Sequence, residues 1–419
     1  MRNAEPSPAA IAIAALVGSD HIRAPNPAEA LACESVVEPE SAAEIAELVR
    51  KCERDRITLA PIGAARTLAN LRTTPVAVAV SLSRMGRVIA YEPDDLTVVA
   101  EAGVTLSALN AQMAARRQRL PLDPSRPDAA TLGAIIGASR AGPLRLSEGL
   151  VRDLLIGIQF VGHGGRVAHA GGRVVKNVAG YDLMKVLTGS FGTLGIVTEA
   201  AFKVRPIPEL YNLAFATFDG IDEAFQAAAN LHDALPLSHL EVVSSTPGRA
   251  MGWRGNFMLL AGWSGNQTEV GYQRNALAAI VKRVEIAEGP GAIAAYQRLR
   301  DFEFRAGSVT AQIAVLPAEL ARCVAECGAE FRAHAGCGVA QVSLEAAGVE
   351  QARTAVTRWR AIAASARGHL RVLSAPREQR GNLPFFDQPN AGAAKLMRRL
   401  KANFDPAGIF NPGCFVGGI

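Results

Sequence analysis

The sequence predicts an α+β fold with two main domains, and three observations lead to this prediction. The 419 residues exceed the ~100 to 200 residues of a typical single domain. Strand and helix patterns follow one another without the regular order of βαβ units. Ten of the 39 glycines lie within residues 157–195, where the backbone must turn tightly or approach a ligand. Beyond this stretch the glycine density falls, which indicates a second domain.

The first half of the chain carries helices and strands in mixed order. Ser41 and Glu44 have the spacing of a capping box, and apolar residues from Ile45 to Cys52 recur at helical spacing, which predicts a helix. A buried strand is expected at residues 57–59, before the loop at residues 61–63. Further patterns predict strands over Val76–Leu82 and Leu96–Ala102 and a helix over Thr105–Arg119.

The second half alternates strands with helices more regularly. The predicted strands are Leu213–Phe218, Phe257–Trp263, Val309–Val315, Val339–Leu344 and Arg371–Ser374. The predicted helices are Ile221–Leu231, Thr268–Lys282, Glu319–His334 and a basic amphipathic tail helix, Ala391–Asn403. We therefore expect an N-terminal extension (1–35), a first domain (36–208), a second domain (209–390) and a C-terminal segment (391–419).

Composition excludes several classes of protein. The net charge of +5 arises from 44 basic and 39 acidic residues, a mild excess without the interleaved aromatics of a nucleic-acid platform. The longest apolar run, Ala9 to Val17, is far shorter than the ~20 residues of a membrane-spanning helix. Six cysteines are scattered without a disulfide-framework spacing, which favours a reducing compartment. We predict a cytoplasmic protein that binds no nucleic acid.

Common nucleotide, nucleophile and metal motifs are missing or incomplete. No G-x-G-x-x-G opens a helix and no Gly-rich loop ends in Gly-Lys-Ser/Thr. Ser190 stands one glycine short of a nucleophile elbow. Cys323 and Cys327 share one helix face near His334 and Cys337, but buried free cysteines are more often small core residues. We predict no metal site.

The glycine-rich stretch holds the most informative motif. Residues 171–183 read GGRVVKNVAGYDL, and residues 187–200 read LTGSFGTLGIVTEA. Two tight turns thus bracket a short helix that carries Lys185, after which the chain enters a buried strand. This text closely resembles the FAD-binding domain of the vanillyl-alcohol oxidase and p-cresol methylhydroxylase family, in particular that of the FAD-binding E subunits of bacterial glycolate oxidases.

The resemblance spans roughly residues 36–208 and resumes in the tail. Its other segments are Asp95–Gly103, Leu120–Pro124, Ala130–Ala134, Gly142–Pro143, Gly149–Asp153 and Phe404–Gly413. It implies a two-subdomain FAD-binding domain of the p-cresol methylhydroxylase (PCMH) type, an α+β cap domain with an antiparallel sheet, and a tail that returns to the FAD domain.

The resemblance also implies site residues. FAD is expected to be bound without a covalent bond, since residues 59–71 contain neither His nor Cys. Glycines allow backbone N–H groups to approach the cofactor, and Arg152 either contacts a phosphate or pairs with its neighbour Asp153. The residues expected to bind FAD are Pro61, Gly63, Ala64, Ala65, Arg66, Thr67, Pro124, Thr131, Leu132, Gly133, Gly142, Pro143, Gly149, Arg152, Asp153, Ile196 and Val197.

Some positions depart from the family pattern. The first flavin loop usually reads Arg-Gly-Gly-Gly-Thr/Ser, whereas residues 62–67 read Ile-Gly-Ala-Ala-Arg-Thr. Ala134 replaces a second glycine, and Cys414 stands where Arg is usual. These departures favour one alternative, a structural subunit with a degenerate flavin site.

The leading functional hypothesis is an FAD-dependent oxidoreductase subunit that oxidises a small 2-hydroxy acid, glycolate or D-lactate. The chain has no cysteine cluster for an iron–sulfur centre, so the expected partners are a larger FAD subunit and an iron–sulfur subunit, with at most peripheral membrane association through the complex. A stand-alone D-2-hydroxy-acid dehydrogenase is a second alternative. No catalytic base is assigned; Arg305, His334 and Arg371 are the candidates for the cation and base that such a substrate needs.

Overall fold

The computed structural model describes residues 13, 16–26, 32–63, 75–172 and 181–419. Over these residues the strands form sheets of four, five and eight strands and a two-stranded ribbon. The predicted α+β fold is confirmed.

The four-stranded sheet opens the first domain. Helix α1, Ala42–Asp55, begins as predicted at Ser41, whose hydroxyl accepts the backbone N–H of Glu44 at 3.2 Å. It ends at Arg56, which has the left-handed φ of 57°. The strands β1 (Ile22–Arg23), β2 (Cys33–Val37), β3 (Leu59–Ile62) and β4 (Val76–Ser81) lie in the order β1-β2-β4-β3, with β4 parallel to both β2 and β3.

The five-stranded sheet is antiparallel throughout, in the order β5-β6-β10-β8-β9. Its strands are β5 (Val88–Glu92), β6 (Thr97–Glu101), β8 (Leu155–Gly162), β9 (Arg166–Gly171) and β10 (Ile196–Lys203). The helices beside it are α2 (Leu106–Met113), α3 (Leu132–Ala138), α4 (Arg145–Glu148), α5 (Val151–Leu154) and α6 (Leu183–Leu187), the last being the predicted short helix with Lys185.

The helix predicted to reach Arg119 is wrong only in its last three residues. After α2 a single 3₁₀ turn covers Ala114–Arg116, and Arg117 adopts a left-handed φ of 52° that stops the helix. Strand β7, Gln118–Arg119, then pairs with β11, Arg205–Pro206. The pairing supplies backbone hydrogen bonds that the amphipathic pattern alone did not reveal.

An eight-stranded antiparallel sheet forms the cap, as expected from the resemblance. Its order is β15-β12-β14-β13-β17-β18-β16-β19. The strands are β12 (Leu210–Phe218), β13 (His239–Ser244), β14 (Phe257–Gly265), β15 (Glu285–Glu288), β16 (Val309–Ala314), β17 (Glu330–His334), β18 (Val339–Leu344) and β19 (His369–Ser374).

The cap helices cover the two faces of this sheet differently. They are α7 (Ile221–Ala234), α8 (Ser245–Ala250), α9 (Gln267–Ile280), α10 (Gly289–Asp301), α11 (Leu320–Cys327) and α12 (Val349–Ser365); α13 (Ala391–Phe404) follows the cap. Helices α7, α9, α11 and α12 bury one face in a large apolar core. Helix α10 packs on the other face. On that face four polar residues are cross-strand neighbours in the order Arg371, Gln312, Gln341 and Arg332. Polar side chains therefore collect on that face.

The helix predicted over Glu319–His334 is wrong beyond Cys327. Helix α11 ends at Gly328, which has a left-handed φ of 59°. Residues Glu330–His334 instead form β17, paired on one side with β13 and on the other with β18. Hydrogen bonding to two neighbouring strands outweighs the helical propensity of this segment.

Candidate functional site

A cavity of about 340 Å³ lies in the first domain, bordered by segments of the four- and five-stranded sheets. This volume is in the range of small-molecule and cofactor sites. The described walls come from β3 and Gly63, the ends of β4 and β6, residues 125–131, helix α3 and residues 190–197. All of these segments precede the cap.

Five of the residues predicted to bind FAD line this cavity: Pro61, Gly63, Thr131, Gly133 and Val197. Thr131 caps α3, its hydroxyl accepting the backbone N–H of Ala134 at 3.3 Å. A Cβ atom on Gly63 would lie 2.5 Å from Thr131 Oγ1 and 2.9 Å from Ala134 Cβ. Only glycine lets β3 approach α3 this closely, and the close approach shapes the cavity wall.

Other predicted residues lie behind the wall or away from it. Leu132 and Ile196 are fully buried in the core, while Pro124, Gly142 and Pro143 are buried around Asp123. A Cβ atom on Gly142 would lie 2.0 Å from the carbonyl oxygen of Asp123. Packing of two chain segments against each other therefore accounts for this glycine.

A third group lies at the surface or outside the described residues. Gly149 has a φ of 79° in a turn closed by Asp153, whose carboxylate accepts the Leu150 N–H at 2.8 Å. Arg152 Nε and Asp153 Oδ1 are 3.8 Å apart and both side chains are exposed. Ala64, Ala65, Arg66 and Thr67 fall outside the described residues, so the effect of the substituted flavin loop stays a prediction.

The chemistry of the described wall suits an anionic dinucleotide. Hydroxyl groups of Ser83, Thr105, Ser125 and Thr131 and the guanidinium groups of Arg126 and Arg140 stand beside apolar surface. None of the wall residues that the structure describes is Asp, Glu, His or Cys. A pyrophosphate would therefore meet hydrogen-bond donors and no opposing carboxylate. FAD fits this donor set.

Most of the wall residues were not predicted, among them Ser125, Arg126, Arg140 and Phe191. Arg140 Nη2 donates to Ser125 Oγ at 2.7 Å and so joins two wall segments. Phe191 lies inside the motif quoted from the glycine-rich stretch, and Arg140 stands two residues before Gly142. Family position was the signal for both, but neither residue type is informative without the fold.

The structure separates the three candidate catalytic residues. Arg305 forms an exposed ion pair with Glu345 at 2.9 Å. His334 is buried in the cap, where its Nδ1 lies 2.6 Å from Glu241 Oε1. Arg371 reaches the first domain, with its guanidinium carbon 5.8 Å from the ring centroid of the wall residue Phe191. Only Arg371 of the three is placed beside the cavity.

No ion pair among the described residues joins Arg371 to a carboxylate, and the charged groups that act on it are the cations Arg145 and Arg140. Burial, followed by the charges of Arg145 and Arg140, lowers the pKa of Arg371 to about 10. The side chain is therefore still charged at neutral pH. A partly buried cation among other cations is a favourable place for an anionic ligand group.

A buried polar cluster joins the cap to the first domain next to the cavity wall. Asp123 accepts the backbone N–H groups of Gly142 (3.0 Å) and Leu144 (2.6 Å) and the hydroxyl of Tyr296 from α10 (2.6 Å). Burial raises the pKa of Asp123 to about 6 against the effect of these hydrogen bonds. Tyr211 Oη lies 2.7 Å from His239 Nε2, and burial lowers the pKa of His239 to about 4.

No metal site was predicted at the two cysteines that α11 carries. Cys323 and Cys327 are buried in the cap core, and burial raises the pKa of Cys327 to about 12. Over the described ranges, no group of three His, Cys, Asp or Glu side chains is arranged to hold a metal ion. Both thiols are accounted for by core packing.

Comparison with known proteins adds independent information. Residues 33–171 match the family described as FAD binding domain, and residues 386–414 match the C-terminal domain of FAD linked oxidases. The chain is 30% identical over 200 residues to glycolate oxidase subunit GlcD of Bacillus subtilis, covering 47% of this chain and 42% of that protein. It is 35% identical over 155 residues to glycolate oxidase subunit GlcE of Escherichia coli, covering 36% and 44%.

The chain thus spans less than half the length of each of these two relatives. Among solved structures, the fold is shared with p-cresol methylhydroxylase with substrate bound, at a TM-score of 0.69 and 16% identity, over 96% of this chain and 95% of that one. The two family matches indicate FAD as the cofactor, and the shared fold is that of a protein with a PCMH-type FAD-binding domain.

Proposed function

We propose that this chain is the FAD-binding subunit of a glycolate-oxidising complex and oxidises a small 2-hydroxy acid, glycolate or D-lactate, to the 2-oxo acid. Bound FAD would accept the hydride from the α-carbon of the acid. The wall residues Gly63, Thr131, Gly133 and Val197 would hold the cofactor without a covalent bond. The observation that carries the substrate class is the position of Arg371.

Arg371 supplies the cation that a 2-hydroxy acid needs. Its guanidinium lies over Phe191 at the edge of the cavity, and Arg140 of the wall adds to the positive potential. A guanidinium binds a carboxylate through two parallel hydrogen bonds, which fixes the orientation of the acid. With its carboxylate bound at this edge, the 2-hydroxy acid would direct its α-carbon into the cavity.

The described wall offers no base for the hydroxyl proton, because it contains no His, Asp or Glu. This observation favours the second candidate, a structural subunit in which another chain of the complex performs the oxidation. The substituted flavin loop at residues 62–67 supports the same candidate. The two candidates differ in whether substrate reduces flavin bound to this chain.

The proposed partners are a larger FAD subunit and an iron–sulfur subunit that receives the electrons. The names of the two relatives, both subunits of glycolate oxidase, support membership of such a complex. No helix in the described part of the chain combines the length and apolarity needed to cross a membrane. We propose a cytoplasmic location, with membrane contact only through the complex.

The decisive experiment is anaerobic reduction of the flavin in the purified chain. With FAD bound, glycolate or D-lactate is expected to bleach the visible absorbance of the oxidised flavin. Bound flavin that neither acid bleaches, with or without the partner subunits, would leave the structural subunit as the better account. Rapid turnover by the isolated chain with a quinone would instead favour the stand-alone dehydrogenase.

Non-covalent binding of FAD gives a direct prediction. Acid precipitation is expected to release all yellow colour into the supernatant, since the described wall has no His or Cys to form a flavin bond. The absorbance of supernatant and pellet measures the release. Colour that stays in the washed pellet would contradict the prediction.

A further inference from the structure

The C-terminal tail is bound directly to the cavity wall. The backbone N–H of Leu59 donates to the Ile409 carbonyl at 2.9 Å, and that of Asn411 donates to the Leu59 carbonyl at 2.7 Å. Phe410 thereby forms a parallel bridge with Leu59 of β3, the strand that leads to Pro61 and Gly63. Lys401 Nζ donates to the Thr193 carbonyl at 2.8 Å. The tail therefore contacts β3 and the segment 190–197, both of which contribute residues to the wall.

The side chain of Asn411 holds one particular peptide of this wall. Asn411 is fully buried, and its Nδ2 donates to the carbonyl oxygen of Phe191 at 2.6 Å. Phe191 has a φ of 54°, a left-handed conformation that is strained for a bulky residue. Such a conformation persists only where the surroundings enforce it. The Asn411 amide is one of the groups that enforce it.

The ring of Phe191 is where the tail and the cap meet. It lies 5.8 Å from the ring of Phe386 and 5.9 Å from that of Phe415, measured between centroids. The guanidinium carbon of Arg371 is 5.8 Å from the Phe191 centroid, in cation–π geometry. The Phe191 ring thus contacts the tail, residue Phe386 and Arg371 at once.

We infer that Asn411 is a positioning residue for substrate binding: its amide holds Phe191 in the left-handed conformation, and the Phe191 ring holds Arg371 where it meets the substrate carboxylate. The inference rests on the proposed function, because it takes Arg371 as the carboxylate-binding group. It also assigns a role to the buried asparagine of the Asn-Pro-Gly sequence at the end of the chain.

Two variants test this role. Asn411→Gly removes the amide but tolerates the φ of 42° that residue 411 adopts. Asn411→Asp keeps the size but places an acceptor against the Phe191 carbonyl. The matched control is Asn403→Asp, an exposed position on α13. Pyruvate is titrated into each FAD-saturated protein, and the change in flavin absorbance gives its Kd.

Both Asn411 variants are expected to bind pyruvate about tenfold more weakly, the loss typical of one hydrogen bond to a positioned group, while the control binds as the wild type does. In a background that already carries Arg371→Gln, Asn411→Gly is expected to cause no further loss, since the effect acts through Arg371. An Asn411→Gly protein with wild-type affinity would overturn the inference, as would equal losses with and without Arg371. If wild-type protein binds neither pyruvate nor glyoxylate, the proposed function fails as well.

Discussion

Replacing Arg371 by glutamine is expected to weaken binding of pyruvate or glyoxylate to the FAD-loaded protein about a hundredfold, because one partner of a partly desolvated charge pair is removed. Glutamine keeps much of the side-chain length but carries no charge. The measurement is the Kd from the flavin absorbance change. Anaerobic reduction by glycolate should slow in the same variant.

The melting temperature of the variant and a control variant separate this effect from misfolding. Removing a guanidinium from the vicinity of Arg145 and Arg140 relieves like-charge repulsion, so the melting temperature is expected to stay the same or rise. Arg305→Gln is the matched control, because Arg305 is exposed and far more solvated. Equal Kd values for the Arg371 and Arg305 variants would exclude Arg371 as the carboxylate-binding group.

The penalty for replacing Asp123 by asparagine is expected to depend on pH. Burial raises the pKa of Asp123 from 3.8 to about 6, so in the folded protein ionisation is unfavourable. Wild-type protein therefore loses stability from this group as the pH rises from about 4 to about 6, and the variant does not. The loss of unfolding free energy caused by Asp123→Asn should be greater at pH 4 than at pH 7 by on the order of 2 kcal/mol.

His239 has the opposite dependence. Burial lowers its pKa from 6.5 to about 4, so the unfolded chain takes up a proton first as the pH falls, and wild-type stability from His239 is lost between about 6.5 and 4. A His239→Gln protein should therefore be penalised less at pH 4 than at pH 7. Denaturant unfolding at both pH values with saturating FAD measures this, and Asp128→Asn at an exposed site is the control. A loss of unfolding free energy on Asp123→Asn that is the same at pH 4 and pH 7 would contradict the raised pKa of Asp123.

Local sequence was a good guide where short-range interactions decide the structure. The capping box at Ser41 and the apolar spacing after it predicted α1, whose start depends on hydrogen bonds within one turn. Strand β18 was predicted with its observed bounds because its alternation reflects one apolar face. Resemblance in the glycine-rich stretch and the tail led to the FAD-binding domain, which the family matches support.

Sequence was a poor guide where distant segments compete or meet. Residues 330–334 carry a helical pattern, yet two neighbouring strands supply the hydrogen bonds that make them β17. Gly142 has the same local signature as Gly63, and only the fold shows that Gly142 makes room for Asp123 while Gly63 makes room for Thr131 in the cavity wall.

By itself, the sequence determined the fold class, the resemblance to an FAD-binding domain and the cofactor, because these depend on short motifs whose backbone geometry is local. The tertiary structure alone decided which charged residue serves the cavity. Arg305, His334 and Arg371 were equal candidates in the sequence, but Arg305 is paired with Glu345, and His334 is held by Glu241 inside the cap. Arg371 differs because the sheet register carries it to Phe191, where no carboxylate among the described residues competes for its charge. Such compensation between charges depends on distances across the fold, which residue order does not contain.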